Sequence, residues 1–182
     1  MSPAEREVIL NGKRFRPYIH KEEIEQIIGS LAEKINADYK GADLVILGVL
    51  DGVILFLADL IRQLNMNVTL ELIKLKSYTG TSSSGEVKEM IGITSNLNGK
   101  KVLIVEDIID TGHTLTHLLK KMGNLETESI EIVTLLLKEE VFKEKFKIKY
   151  VGKKIENKFV VGFGMDMDGA GRQIPEIYIA IE

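Results

Sequence analysis

Val102 to Thr114 reads VLIVEDIIDTGHT, and this stretch decides the fold. Val102 to Val105 is an unbroken aliphatic run, as in a strand covered on both faces of a parallel sheet. The run is expected to stop at the adjacent carboxylates Glu106 and Asp107. Downstream, Leu115, Leu118, Leu119 and Met122 recur at helical spacing, and Gly123 offers a stop. The order is therefore strand, acidic loop, helix. In open α/β sheets the ligand crevice lies beyond the carboxyl ends of the strands, and free N–H groups at a helix start attract anions. Thr111 to Thr114 occupy that place. Gly112 allows the backbone to approach a phosphate, and the two threonine hydroxyls add donors. Carboxylates there would repel a phosphate unless they bind a cation or sugar hydroxyls. Glu106 and Asp107 thus point to a ligand carrying both phosphate and a polyol, with Mg²⁺. A lone acidic pair would be ordinary turn chemistry. Three carboxylates between Glu106 and Asp110, followed by Thr-Gly-x-Thr, favour the ligand.

Working outward, Ile24, Ile27, Ile28, Leu31 and Ile35 predict an amphipathic helix over Ile19 to Asn36, with Glu22 and Glu23 near its start. A second, apolar helix is predicted from Ile54 to Leu64. Strands are predicted at Leu44 to Leu47, Val68 to Leu75, Val102 to Val105, Ile130 to Leu137, Phe159 to Phe163 and Ile177 to Ile181. Strands alternating with helices imply a mostly parallel sheet with right-handed crossovers. Phe142, Phe146 and Tyr150 at four-residue spacing make the Lys-rich stretch Lys143 to Lys158 an expected amphipathic surface helix. Gly48 and Gly52 around a strand end read, by themselves, as turn residues. The Gly and Ser content of Ser77 to Gly85, SYTGTSSSG, predicts mobility.

Composition bounds the function. A chain of 182 residues that is 45% hydrophobic supports one ordinary domain. A formal net charge of −3 gives no electrostatic reason for nucleic-acid binding. The absence of cysteine excludes disulfides and thiol catalysis and suits a reducing cytoplasm. Charges in MSPAEREVILNG interrupt the apolar core a signal peptide needs, and no apolar run approaches a membrane span. The expectation is a soluble cytoplasmic protein.

Val102 to Thr114 resembles the phosphoribosyl pyrophosphate (PRPP) signature of the type I phosphoribosyltransferases, and with its neighbours resembles their hypoxanthine/guanine branch. The likeness runs from about Val8 to the C-terminus. Val45 to Gly52, VILGVLDG, resembles the first strand and pyrophosphate loop. Leu75 to Tyr78, LKSY, resembles the start of the loop that closes over the site. Lys138 stands where the family places the lysine that reads the purine's six-position oxygen. Lys158 to Gly162, KFVVG, with Asp166 and Arg172, resembles the base-stacking and second-metal segment. The resemblance implies an α/β type I phosphoribosyltransferase-like fold: a mostly parallel central sheet flanked by helices. It also implies a small hood from about residues 1–20 and 140–182, and a mobile lid at about 77–87, in a single domain over 1–182.

The resemblance also implies roles. Glu106 and Asp107 would grip the ribose hydroxyls, directly or through Mg²⁺. Ile108, Ile109, Asp110, Thr111, Gly112, His113 and Thr114 would form the ribose-phosphate loop, with Asp110 as catalytic acid/base for the purine N7 proton. Asp51, Gly52 and Arg172 would hold pyrophosphate, Asp166 would help to hold a second metal, and Lys76, Ser77 and Tyr78 would begin the lid. Lys138, Lys158, Phe159, Val160 and Asp166 would form the purine site. An ammonium only donates, so Lys138 pairs with a six-oxo group and not with adenine's amino group. The implied substrates are PRPP and hypoxanthine or guanine, xanthine being the nearest rival. The implied assembly is a homo-oligomer, dimer or tetramer. The competing class is a regulatory PRPP- or nucleotide-binding protein of the same fold. Asp51 departs from the family's usual lysine before Gly52. Met167, Ala170 and Gly171 stand where relatives often carry aromatics.

Overall fold

The computed structural model describes residues 7–77, 87–144 and 146–181. Ten strands and three helices follow in the order β1 (Val8–Leu10), β2 (Lys13–Ile19), α1 (Lys21–Asp38), β3 (Leu44–Leu50), α2 (Ile54–Ile61), β4 (Val68–Ser77), β5 (Val87–Ile91), β6 (Lys101–Ile109), α3 (His113–Met122), β7 (Ser129–Leu137), β8 (Tyr150–Lys154), β9 (Val160–Val161) and β10 (Ile177–Ala180).

The main sheet has the order β5-β4-β3-β6-β7-β8. Its pairs are parallel except the edge strand β5, which runs antiparallel to β4. Aliphatic alternation explains why its centre is covered on both faces. Leu44, Ile46, Leu103 and Val105 point to a core shared with Ile24, Ile28, Leu31 and Ile35 of α1 and Phe56 and Leu60 of α2. Val45, Leu47, Val102 and Ile104 point the other way, onto Leu115, Leu118 and Met122 of α3. Gly48 lies buried inside β3 rather than in a turn. A Cβ there would stand 2.6 Å from Leu57 Cδ2, so the missing side chain lets α2 close onto the strand.

From β3 the chain steps to β4 on one side, then crosses back to place β6 on the other. The order therefore reverses between β3 and β6, which opens a crevice at their carboxyl ends. A second, antiparallel sheet, β1-β2-β10-β9, is built from the two ends of the chain. Asn11 and Gly12, both at positive φ, make the tight turn between β1 and β2.

Five expectations require correction. β6 does not stop at Glu106; it continues to Ile109, with Glu106 paired to Thr134 and Ile109 to Leu137. The carboxylates thus lie on the strand, and the loop begins at Asp110. The stretch Lys143 to Lys158 is not a helix. Phe146, Ile148 and Tyr150 alternate with Lys147 and Lys149, and that two-residue period prevails: Tyr150 opens β8 against Val133. Phe142 and Phe146 meet edge to face, their centroids 5.3 Å apart, and cover the α3 side of the core. β8 consequently belongs to the main sheet and not to a hood. Finally, α2 ends at Ile61, and the predicted strand at Phe159 is only the short β9.

Candidate active site

Two adjoining depressions lie along the crevice. The larger, about 290 Å³, is bordered by Asp51 and Gly52 after β3, Asp107, Ile108 and Asp110 at the end of β6, Lys138 after β7, and Phe159, Val160, Met165, Asp166 and Arg172 from the segment around β9. The smaller, about 100 Å³, is formed by Glu106 and the run Ile108 to Leu115. Residues far apart in sequence therefore meet because three parallel strands end together.

The smaller depression is an anion cradle by construction. Gly112 is the residue before α3 and sits at φ 86°, and no side chain caps the first turn. Its N–H groups are thus left to a ligand. A Cβ on Gly112 would come within 2.8 Å of Glu144 Cγ and 2.9 Å of Phe142 Cε2, so both conformation and space require glycine. Lys120 and Lys121 at the far end of α3 complement its dipole. His113 borders this depression with its side chain 83% exposed and 3.8 Å from Glu144 Oε1.

Glu106 and Asp107 form the acidic wall. Burial and the neighbouring Asp107 carboxylate hold Glu106 well above the usual carboxylate range. Burial pushes Asp107 up to about 6, opposed by backbone N–H donors, the Arg172 guanidinium and a hydrogen bond from Glu106. Two partly desolvated carboxylates with raised proton affinity are poorly compensated by protein alone. Hard oxygen donors of this kind fit Mg²⁺, which takes one or two carboxylates and leaves its other positions to water and phosphate. Among the described residues no three His, Asp or Glu side chains converge as a complete metal cage.

Lys138 carries the most specific geometry. Its backbone N–H donates to the Ile109 carbonyl, which locks the end of β7 to the end of β6. Its side chain is only 9% exposed, and Nζ donates to Asp110 Oδ2 at 2.9 Å. The ammonium keeps two further donors for the cleft, and the half-exposed carboxylate keeps acceptor capacity. Phe159 borders the same depression, 49% exposed, with its ring 6.3 Å from the Phe15 ring. An aromatic face left open beside polar groups is a stacking platform.

At the corner formed by Asp51, Asp166 and Arg172, Arg172 donates to the Gly164 carbonyl at 2.7 Å and lies 2.8 Å from Asp166 Oδ1 and 3.9 Å from Asp51 Oδ2. Asp166 Oδ2 accepts the Gly169 N–H at 2.7 Å, closing a local turn. The packing is tight: a Cβ on Gly52 would meet the Asp107 carboxylate, and one on Gly164 would meet the Gly52 carbonyl. The Leu50–Asp51 peptide is cis.

Lys158 borders neither depression; its ammonium pairs with Glu156 at 3.1 Å. Lys76 and Ser77 close β4 opposite Lys88 and Val87. Tyr78 and the rest of the expected lid, to residue 86, lie outside the described residues. Sequence reasoning missed Met165, which lines the cleft, and Lys74, whose Nζ reaches both carboxylate oxygens of Asp51 at 2.7 and 2.8 Å. Lys74 interrupts the apolar run LELIKL, a visible signal, but its partner depends on strand register.

A parallel sheet with a strand-end acidic pair and an anion loop at its switch point is the architecture of the phosphoribosyl transferases. The sequence model of the phosphoribosyl transferase domain matches residues 18–168, and the chain belongs to that family. Among its relatives, the hypoxanthine-guanine phosphoribosyltransferase of Staphylococcus aureus is 39% identical over 158 residues, covering 86% of this chain and 88% of the relative. That of Staphylococcus epidermidis is 38% identical over 160 residues, covering 87% and 89%. The crystal structure of a hypoxanthine-guanine phosphoribosyltransferase from Bacillus anthracis is similar with a TM-score of 0.85 at 36% identity, over 91% of this chain and 98% of that one. No helix among the described residues is long and apolar enough to cross a membrane.

Proposed function

We propose that this protein is a purine-salvage enzyme that transfers the 5-phosphoribosyl group of PRPP to N9 of hypoxanthine or guanine, giving IMP or GMP and pyrophosphate. The observation that carries this reading is the Lys138–Asp110 pair. It sets a buried donor and a carboxylate 2.9 Å apart, in one cleft with an anion loop and an aromatic face. A 6-oxopurine presents a matching edge: an oxygen at position six for the ammonium and a proton at N7 for the carboxylate.

The chemistry follows from charge. N9 forms the new bond to ribose C1, the bond from C1 to the pyrophosphate oxygen breaks, and its electron pair leaves with pyrophosphate. Asp110 takes the proton released by the purine at N7, which requires hydrogen-bond reach in the bound state. The N–H groups and hydroxyls of Thr111 to Thr114 fix the 5′-phosphate, so ribose C1 is aimed at the base. Glu106 and Asp107 hold the ribose hydroxyls and, with Asp166 on the other side, are the residues that would bind Mg²⁺. Bound there, the ion supplies neutralisation of the pyrophosphate charge. Gly52 and Arg172 receive the departing pyrophosphate, and Phe159 and Val160 cover the base. A cytoplasmic location and a homo-oligomeric state complete the reading.

The direct test is pyrophosphate release from PRPP and Mg²⁺ with hypoxanthine, guanine, xanthine or adenine supplied singly. Turnover with the first two and little with adenine is expected. Silence with every base, despite measurable PRPP binding, would replace this reading by a regulatory binding protein of the same fold.

A further inference from the structure

The corner that receives pyrophosphate carries an acid where a polyanion must sit. Asp51 borders the cleft, and Asp107 and Asp166 stand nearby. Arg172 is already engaged by Asp166 Oδ1 at 2.8 Å and the Gly164 carbonyl at 2.7 Å, and is 3.9 Å from Asp51 Oδ2. The close partner of Asp51 comes from a different strand. Lys74 is registered directly against Leu50 across the parallel β3–β4 pair, and its Nζ lies 2.8 Å from Asp51 Oδ1 and 2.7 Å from Oδ2. The strand irregularity between Lys74 and Leu75 falls at that same residue.

As a stabilising ion pair this contact counts for little, because both side chains are more than a third exposed and water screens them. Its consequence is local and electrostatic. A carboxylate engaged at both oxygens is biased away from an incoming polyanion, and the ammonium offsets its charge at the point of closest approach. An ammonium has three donors, of which Asp51 takes two, leaving one. Lys74 does not itself border the cleft, so it acts through Asp51.

We propose that Lys74 is a positioning residue of the pyrophosphate corner: it neutralises and orients Asp51, and so makes an acidic loop competent to bind a polyanion. The proposal rests on reading the loop Asp51–Gly52 as the pyrophosphate seat. The partnership also gives Asp51 a defined place beside Gly52, whose carbonyl packs against Gly164.

The test is calorimetric binding of inorganic pyrophosphate in Mg²⁺ to the full chain, with KM for PRPP and for hypoxanthine measured in parallel. Lys74→Met is expected to weaken pyrophosphate binding at least tenfold and raise KM for PRPP similarly, while KM for hypoxanthine stays within about twofold. Lys74→Arg, which keeps the cation, should remain within about threefold of wild type. Adding Asp51→Asn to Lys74→Met should recover most of the lost affinity, because it removes the charge that Lys74 cancels. A purely structural lysine would not be rescued by deleting its partner. Unchanged pyrophosphate binding by Lys74→Met, or a double variant as weak as Lys74→Met, would overturn the proposal. A wild type that binds no pyrophosphate would overturn it together with the assignment of the loop. A wild type that binds pyrophosphate but turns over no base would leave Lys74 in place and refute only the catalytic reading.

Discussion

Replacing Lys138 by Gln should collapse base discrimination. In the wild type the ammonium is nearly buried, is held 2.9 Å from Asp110 Oδ2, and has donors only. Adenine would set its six-amino donor against that donor and leave the ammonium's remaining N–H groups without an acceptor. Sites built to hydrogen-bond one group reject the mismatched analogue by about ten-thousandfold in kcat/KM, or about 5.5 kcal/mol at 1.36 kcal/mol per decade. A glutamine amide can turn to accept as well as donate. For hypoxanthine the variant loses one charge-assisted hydrogen bond, about 1.5–3 kcal/mol, so kcat/KM should fall roughly 10- to 150-fold. For adenine the clash is removed, and the hypoxanthine-to-adenine ratio should shrink to about tenfold or less. The fold should survive, because Asp110 is half exposed and water can replace its lost partner. The assay is continuous pyrophosphate release with each base at saturating PRPP, with Tm measured alongside. A Lys138→Gln protein that keeps the full wild-type preference for hypoxanthine would refute the reasoning.

Three further outcomes are expected. Asp110→Asn should lower kcat by roughly a hundred- to ten-thousandfold, the usual worth of a positioned acid/base. KM for PRPP should change little, as single-turnover and steady-state kinetics would show. Gly112→Ala forces φ 86° on a residue with a Cβ and drives that atom into Glu144 and Phe142. The strain alone costs about 1–2 kcal/mol, so Tm should drop by at least several degrees at roughly 2–4 °C per kcal/mol, and PRPP affinity should fall with it. The third concerns pH. Burial raises Asp107 to about 6 and also raises Glu106 well above the usual carboxylate range, so the folded, ligand-free protein binds these protons more tightly than the unfolded chain. The Asp107 contribution to stability is therefore present below the unfolded carboxylate value of about 4 and is lost as pH rises through about 6. A bound cation needs both groups ionised. Its stabilising effect should thus grow over the same window. The rise in Tm produced by Mg²⁺ with pyrophosphate should be larger at pH 7.5 than at pH 5, and Asp107→Asn should flatten the difference.

Much of this protein was determined by sequence alone, because the informative patterns are local. The aliphatic run at Val102 to Val105 and the periodicity of Ile24, Ile28, Leu31 and Ile35 demand a buried strand and a one-sided helix, whatever the rest of the chain does. The Thr-Gly-x-Thr run from Thr111 to Thr114 marks the start of a helix with a glycine at its turn, a pattern written within a few residues. Other features were decided only in three dimensions. Tyr150 opens a strand, and Phe146 and Ile148 before it form no helix, because β7 offers an unpaired edge beside α1 and Gly152 lets Ile27 approach. Glu106 is buried because β6 continues past it into pairing with β7. Lys74 meets Asp51, and Lys138 meets Asp110, only because parallel strands distant in sequence end side by side in a fixed register. Residue type and spacing reveal which groups can do chemistry. The charges that face one another are set by strand order and register, which long-range packing alone selects.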